Sequence, residues 1–263
     1  NEANVDVYDA TQMASDFTCI ATLGTTGCGF EQQLKAMRAA TSINPMTGTC
    51  NTGFLRDDAV LALLFVTDEE DCSVHPDHTD MFDQSATYLG HLGIRCFLHP
   101  DFLVPIADYV AAFRGLKPAE DADKIVLGMI VGVPPDAPEC SGDGDEIEAC
   151  LGLPAMTEQI DPAAPVMIIP SCDTSMGMAF PPRRFVSLAQ EFGSSAVVGS
   201  ICRADWTDTI SRITQKLVER LPGQCLPRAL PFDETDDDDT LAPDLCMANC
   251  MVVEHYGNDR PCT

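Results

Sequence analysis

A chain of 263 residues with 45% apolar composition suffices for one large domain with a buried core and is short for two. Its formal charge of −26, from 41 acidic and 15 basic residues, argues against nucleic acid and anionic membrane surfaces as partners, since both repel a polyanion. Cationic groups and divalent metals are the partners it favours, besides the solubility such charge gives a secreted protein. No apolar run reaches the roughly 18 to 20 residues of a spanning helix, so no membrane span is expected.

Near the start, "CIATLGTTGCGFEQQLKAMRAA" (19–40) runs from a strand-like stretch through the turn Gly24-Thr25-Thr26-Gly27 into an amphipathic helix over 30–40. Phe30, Leu34 and Met37 share one face of that helix, and Glu31 lies one turn before Lys35. Val60–Val66 ("VLALLFV") is continuously apolar, as a buried parallel strand is. A helix follows over Pro105–Leu116, with Ile106, Tyr109, Val110 and Phe113 at helical spacing, and then a second buried strand over Ile125–Val133.

Residues 134–182 break the rhythm. They are rich in Pro, Gly and acids, contain "ECSGDGDEIEAC" and "VMIIP", and read as an insertion with its own disulfide. A helix over 181–192 opens on prolines and stops at Gly193. Ala196–Ile201 is the third buried strand. The last helix spans Asp205–Leu221, with Asp205 as N-cap, Trp206 packing beside it, and Pro222-Gly223 as the stop. Strands alternating with helices predict an α/β, doubly wound (Rossmann-like), mostly parallel sheet flanked by helices over 1–230. Residues 231–263 read as an acidic linker and a tail bearing Cys246, Cys250 and Cys262.

Thirteen cysteines without a CxxC pair, many of them beside turns, read as disulfide staples rather than zinc ligands. They imply an oxidising setting: extracellular, cell surface or periplasm. Proximity of element ends suggests Cys19–Cys28, Cys72–Cys96 and Cys202–Cys225, and the odd count leaves one cysteine free or paired outside the chain.

In open α/β sheets ligands bind beyond the carboxyl ends of the strands. The first apolar strand ends there in "FVTDEEDCS", placing Asp68 at the edge ahead of Glu69, Glu70 and Asp71. Oxygen ligands of this kind suit Mg²⁺ or Ca²⁺, and Thr26, or Thr25, offers a hydroxyl from the glycine-flanked turn. Equally, the threonines serve as caps for helix 30–40 and the acids as a solvated loop. "CSVHPDHTD" offers a second metal candidate in His75 and His78, whose imidazoles beside Asp77 and Asp80 suit zinc. "ECSGDGDEIEAC" presents Asp143, Asp145 and Glu146 but lacks the full calcium-loop pattern, and a disulfide-closed acidic loop is the simpler reading. No GxSxG elbow and no phosphate loop is present, and Ser200 has no reason to meet His255, so no enzyme is expected.

"GTTGCGFEQQL" followed by "LALLFVTDEEDCS" resembles the von Willebrand factor type A domain, in the cysteine-rich form of bacterial surface and secreted lipoproteins. The likeness continues through "IVLGMIVGVP", "PPRRFVSLAQEFG" and "GSICRADWTDTISRITQKL", over roughly residues 15–230. It implies an adhesion-type metal site in which Thr26 (alternatively Thr25) and Asp68 hold a divalent cation that bridges to a protein partner. The family's DxSxS motif is missing from this chain, and "DVYDATQ" with Asp9 and Thr11 does not supply it. Against the family, the chain starts after the first three strands, as a mature or truncated piece with no signal peptide. A second polypeptide is therefore expected to complete the sheet beside Val60–Val66. The alternatives are a structural subunit of an extracellular assembly with a vestigial metal site, and a metal-dependent hydrolase built on His75 and His78.

Overall fold

The computed structural model describes residues 9–22, 29–41, 54–57, 59–175 and 177–221. In chain order these form α1 (Ala10–Ala21), α2 (Gln33–Thr41), β1 (Leu61–Val66), α3 (Arg95–Leu98), α4 (Ile106–Arg114), β2 (Ile125–Val131) and β3 (Gly142–Asp143). There follow β4 (Ile160–Asp161), β5 (Ala164–Ile168), β6 (Cys172–Thr174), β7 (Gly177–Ala179), α5 (Arg183–Phe192), β8 (Ala196–Ser200) and α6 (Thr207–Arg220).

The three apolar runs become β1, β2 and β8, which lie side by side and parallel, with the two residues of β3 antiparallel at the far edge. Register is unbroken from Leu61 opposite Ile125 to Val66 opposite Ile130. Successive strand residues point to opposite faces, so each run divides its apolar residues between two layers. On one face Leu63, Phe65, Leu127, Met129 and Val198 pack against Leu34 of α2, Tyr109 and Phe113 of α4, and Phe185 and Leu188 of α5. On the other, Val126 and Val197 meet Ile213 and Leu217 of α6. Glycines inside the strands mark how closely α6 approaches. A Cβ on Gly128 would sit 2.7 Å from Ile213 Cδ1, and one on Gly199 would collide with Thr209.

The chain is thus mixed α/β, with a mostly parallel sheet, flanking helices and, among the described residues, three disulfides. Among the described residues β1 pairs only with β2. Because α6 packs over β2 and β8, the β1 residues on that side stay open, Leu64 at 41% and Val66 at 50% exposure. No helix among the described residues is long and apolar enough to cross a membrane.

The helix over 30–40 starts instead at Gln33, and α1 adds a helix that the sequence reading lacked. In α6 the N-cap position falls to Trp206, which is exposed rather than packed away. The Asp205 carboxylate still accepts from Thr207 N at 2.8 Å and Thr207 Oγ1 at 2.6 Å, doing a cap's work one residue out. The 134–182 insertion resolves into a loop closed by Cys140–Cys150 and two hairpins, β4–β5 and β6–β7, with "VMI" of "VMIIP" in β5. Its acids face cations of α6: Asp143 lies 2.7 Å from Lys216 Nζ, and Glu146 lies 3.1 Å from Arg212. The stretch is thus the disulfide-closed acidic loop read from the sequence, with Asp143 and Glu146 paired to α6.

Cys72 is bonded to Cys96. Cys202 is bonded to Cys172, which corrects Cys202–Cys225. The β6–β7 hairpin folds against the end of β2, where the Ser171 hydroxyl donates to the Gly132 carbonyl, and this sets Cys172 beside the end of β8. Cys19 is exposed on α1 with a free thiol, which corrects Cys19–Cys28. Cys28, Cys225, Thr25, Thr26, His255 and the 231–263 tail lie outside the described residues.

The stretch between β1 and α4 is organised around a buried cation. Arg95 donates to the carbonyls of Gly90, Met81, Asp83 and Ala86 at 2.8–3.0 Å, so one guanidinium gathers four backbone groups, of which Asp83 O and Ala86 O also accept from Ala86 N and Leu89 N.

Candidate binding site at the carboxyl edge of the sheet

Beyond β1 the chain turns through Thr67-Asp68-Glu69-Glu70-Asp71. Thr67 N extends the ladder by donating to Ile130 O at 3.1 Å, and its hydroxyl accepts from Glu69 N at 3.1 Å, which closes the turn. The Asp68 carbonyl accepts from Phe180 N at 2.9 Å, so its backbone is held while its carboxylate stands exposed.

The next two acids each serve a helix. Asp71 is fully buried and accepts from Leu34 N at 2.9 Å, near the N-terminus of α2. It also accepts from Ser73 Oγ at 2.7 Å and from Arg184 Nε at 3.1 Å. Glu70 accepts from Arg184 N at 2.9 Å, near the N-terminus of α5, and from Asp71 N at 2.8 Å. Helix N-termini expose unpaired N–H groups and a positive dipole end, and a carboxylate answers both.

These groups open onto a cavity of about 480 Å³, within the range of small-molecule sites. Its charged lining is Glu31, Glu69, Glu70, Glu158, Arg183 and Arg184, and its apolar wall includes Leu92, Phe97, Val166, Met167 and Phe180. Both arginines are committed elsewhere. Arg184 serves Asp71 and the Val104 carbonyl, while Arg183 donates to the carbonyls of Leu151 and Met156 and stands 4.0 Å from Glu158. The acids are therefore under-neutralised. Burial foremost, then the charges of Glu31 and Asp68, pushes Glu69 up to about 7. Burial pushes Glu70 up to about 8 against the pull of its backbone donors. Burial also raises Glu158, opposed by Arg183 and Arg184.

Of the residues read from the sequence, Asp68 and Glu69 stand at this edge. Thr25 and Thr26 lie outside the described residues. Among the described residues no group of three or more His, Cys, Asp and Glu is placed to hold a metal ion. The rings of His75 and His78 lie 6.2 Å apart between centroids, and each has another partner: His75 Nδ1 accepts from Asp77 N at 3.3 Å, and His78 stacks on Phe102 at 3.9 Å between ring centroids. The Ser200 hydroxyl is buried and donates to the Val133 carbonyl, so it faces no base.

The sequence does not single out Glu158, Arg183 and Arg184, and it reads Glu31 only as a helix partner of Lys35, whose ammonium instead reaches Gln32 Oε1 and Val74 O. A signal was present: "PPRRF" puts two cations in the first turn of a helix, the wrong end for its dipole, which calls for buried carboxylates nearby.

No protein-family model, curated protein or solved structure matches this chain.

Proposed function

We propose that this chain is an extracellular binding protein, at the cell surface, in the medium or in the periplasm, that engages a protein partner at the carboxyl edge of its sheet. The observation that carries the reading is the mouth of the cavity. Val166 and Met167 line it and yet are 43% and 38% exposed, and Ile160 and Ile169 stand exposed on or beside the same β4–β5 hairpin. Clustered exposed apolar side chains beside carboxylates have the make-up of a protein-binding surface. Three disulfides support the oxidising location.

The doubly wound, von Willebrand factor type A-like reading of the sheet belongs to this proposal. A strand from a second polypeptide, added along the outer edge of β1, would complete the sheet there. Asp68 is the ligand we assign to a Mg²⁺ or Ca²⁺ ion should the contact be metal-bridged. The structural-subunit alternative expects partner contact that chelators leave untouched.

The test is capture from the extracellular fraction of the source, using the wild-type chain and the double variant Val166→Asp, Met167→Asp as baits, each with EDTA or with Mg²⁺. The reading predicts a protein retained by the wild type and lost by the variant. Identical captures by both baits contradict it. Loss with EDTA and with Asp68→Ala adds the metal to the account, and retention under both removes it.

A further inference from the structure

The cavity behind that rim has a chemistry of its own. Its acids outnumber its available cations, because the guanidinium groups of Arg183 and Arg184 are already held by backbone carbonyls and Asp71. Glu69 and Glu31 carry no side-chain hydrogen bond or ion pair among the described residues, although both line the cavity. The same cavity is also lined by the apolar side chains of Leu92, Phe97, Val166, Met167 and Phe180. A ligand that satisfies both surfaces is cationic at one end and aliphatic along its length.

We infer that the cavity is a specificity pocket for a lysine side chain of the protein partner, with the ammonium against Glu69 and Glu31 and the methylene stem along the Phe97 and Met167 wall. The inference rests on the reading of the carboxyl edge as the partner-binding surface. A lysine stem buries against apolar surface while its head keeps its charge, and here the carboxylates replace the lost water. An acidic partner group is disfavoured in this cavity, since it would add charge beside four carboxylates.

The experiment is isothermal titration of the full chain with acetyl-Leu-Lys-Leu-amide, against the same peptide carrying norleucine, which keeps the stem and removes the charge. The expected result is binding of the lysine peptide about tenfold or more tighter than the norleucine peptide at pH 8, with the preference lost in Glu69→Gln. Equal binding of both peptides, no binding of either, or a lysine preference that survives Glu69→Gln would overturn it. The two readings fail separately. A partner lost on substitution of Val166 and Met167 alongside a silent lysine peptide leaves the rim standing and removes the pocket. Peptide binding with no such partner does the reverse.

Discussion

Arg184 Nε stands 3.1 Å from the carboxylate of Asp71, a residue with no exposed surface, and this pair joins the N-terminus of α5 to the N-terminus of α2. Both helices pack on the same face of the sheet, so the pair closes the end of the core that the cavity opens from.

Removing one partner of a buried ion pair strands the other charge. Arg184→Met leaves Asp71 with three of its four donors and no cation, and is expected to cost about 3 kcal/mol. Urea unfolding at pH 7 measures it. A cost below about 1 kcal/mol would show that the backbone and Ser73 donors alone hold Asp71.

Arg95 poses a second case of the same physics without an anionic partner. Arg95→Met removes four charge-assisted bonds, leaving the carbonyls of Met81 and Gly90 without their donor while Asp83 O and Ala86 O keep a backbone one, and about 3 kcal/mol of lost stability is expected. Hydrogen exchange should accelerate over residues 81–95 first, because the loop and not the sheet depends on this side chain.

The acids of the cavity make stability fall as pH rises. Glu69 and Glu70 titrate in the folded chain near 7 and 8, against an ordinary value of 4.5. Between those limits the folded state holds protons that the unfolded chain has lost, so unfolding free energy declines with increasing pH. The melting temperature should be higher at pH 5.5 than at pH 8.5. Glu69→Gln, which removes one of the two groups without breaking a hydrogen bond, should flatten the slope and raise the melting temperature at pH 8.5. A slope unchanged by Glu69→Gln would place the titration elsewhere. Retaining a destabilising carboxylate is the pattern of a site kept for binding.

Much of this architecture was legible in the sequence. "VLALLFV", "IVLGMIVGV" and "AVVGSI" gave β1, β2 and β8 as continuous apolar runs, although only β2 and β8 are buried on both faces and β1 leaves Leu64 and Val66 open, and Pro181-Pro182 and Gly193 marked the ends of α5 within two residues. The site was legible only at its Asp68–Glu70 edge. Glu158 and Arg183 reach the cavity from segments about 90 and 115 positions later in the chain, and no local pattern encodes so distant a meeting. Cys202 illustrates the same gap. Its partner, Cys172, is 30 residues away across a hairpin whose return onto β8 is set by tertiary packing.

Disulfide contributions follow from the loops they close. Cys72–Cys96 spans 24 residues and Cys140–Cys150 spans 10, so alanine pairs at these positions are expected to cost about 3.5 and about 2.7 kcal/mol in the chain-entropy estimate. The first pair should also weaken lysine-peptide binding, since Cys72 and Cys96 both line the cavity, and the second should leave it unchanged.

The most direct test of the carboxyl edge as the binding surface is hydrogen exchange of the chain with and without the protein it captures. The account predicts slowed exchange over 92–104 and 158–169, around the cavity mouth, with 207–221 on the opposite face of the sheet unchanged. Protection confined to α6, or exchange unchanged over 158–169, would contradict it.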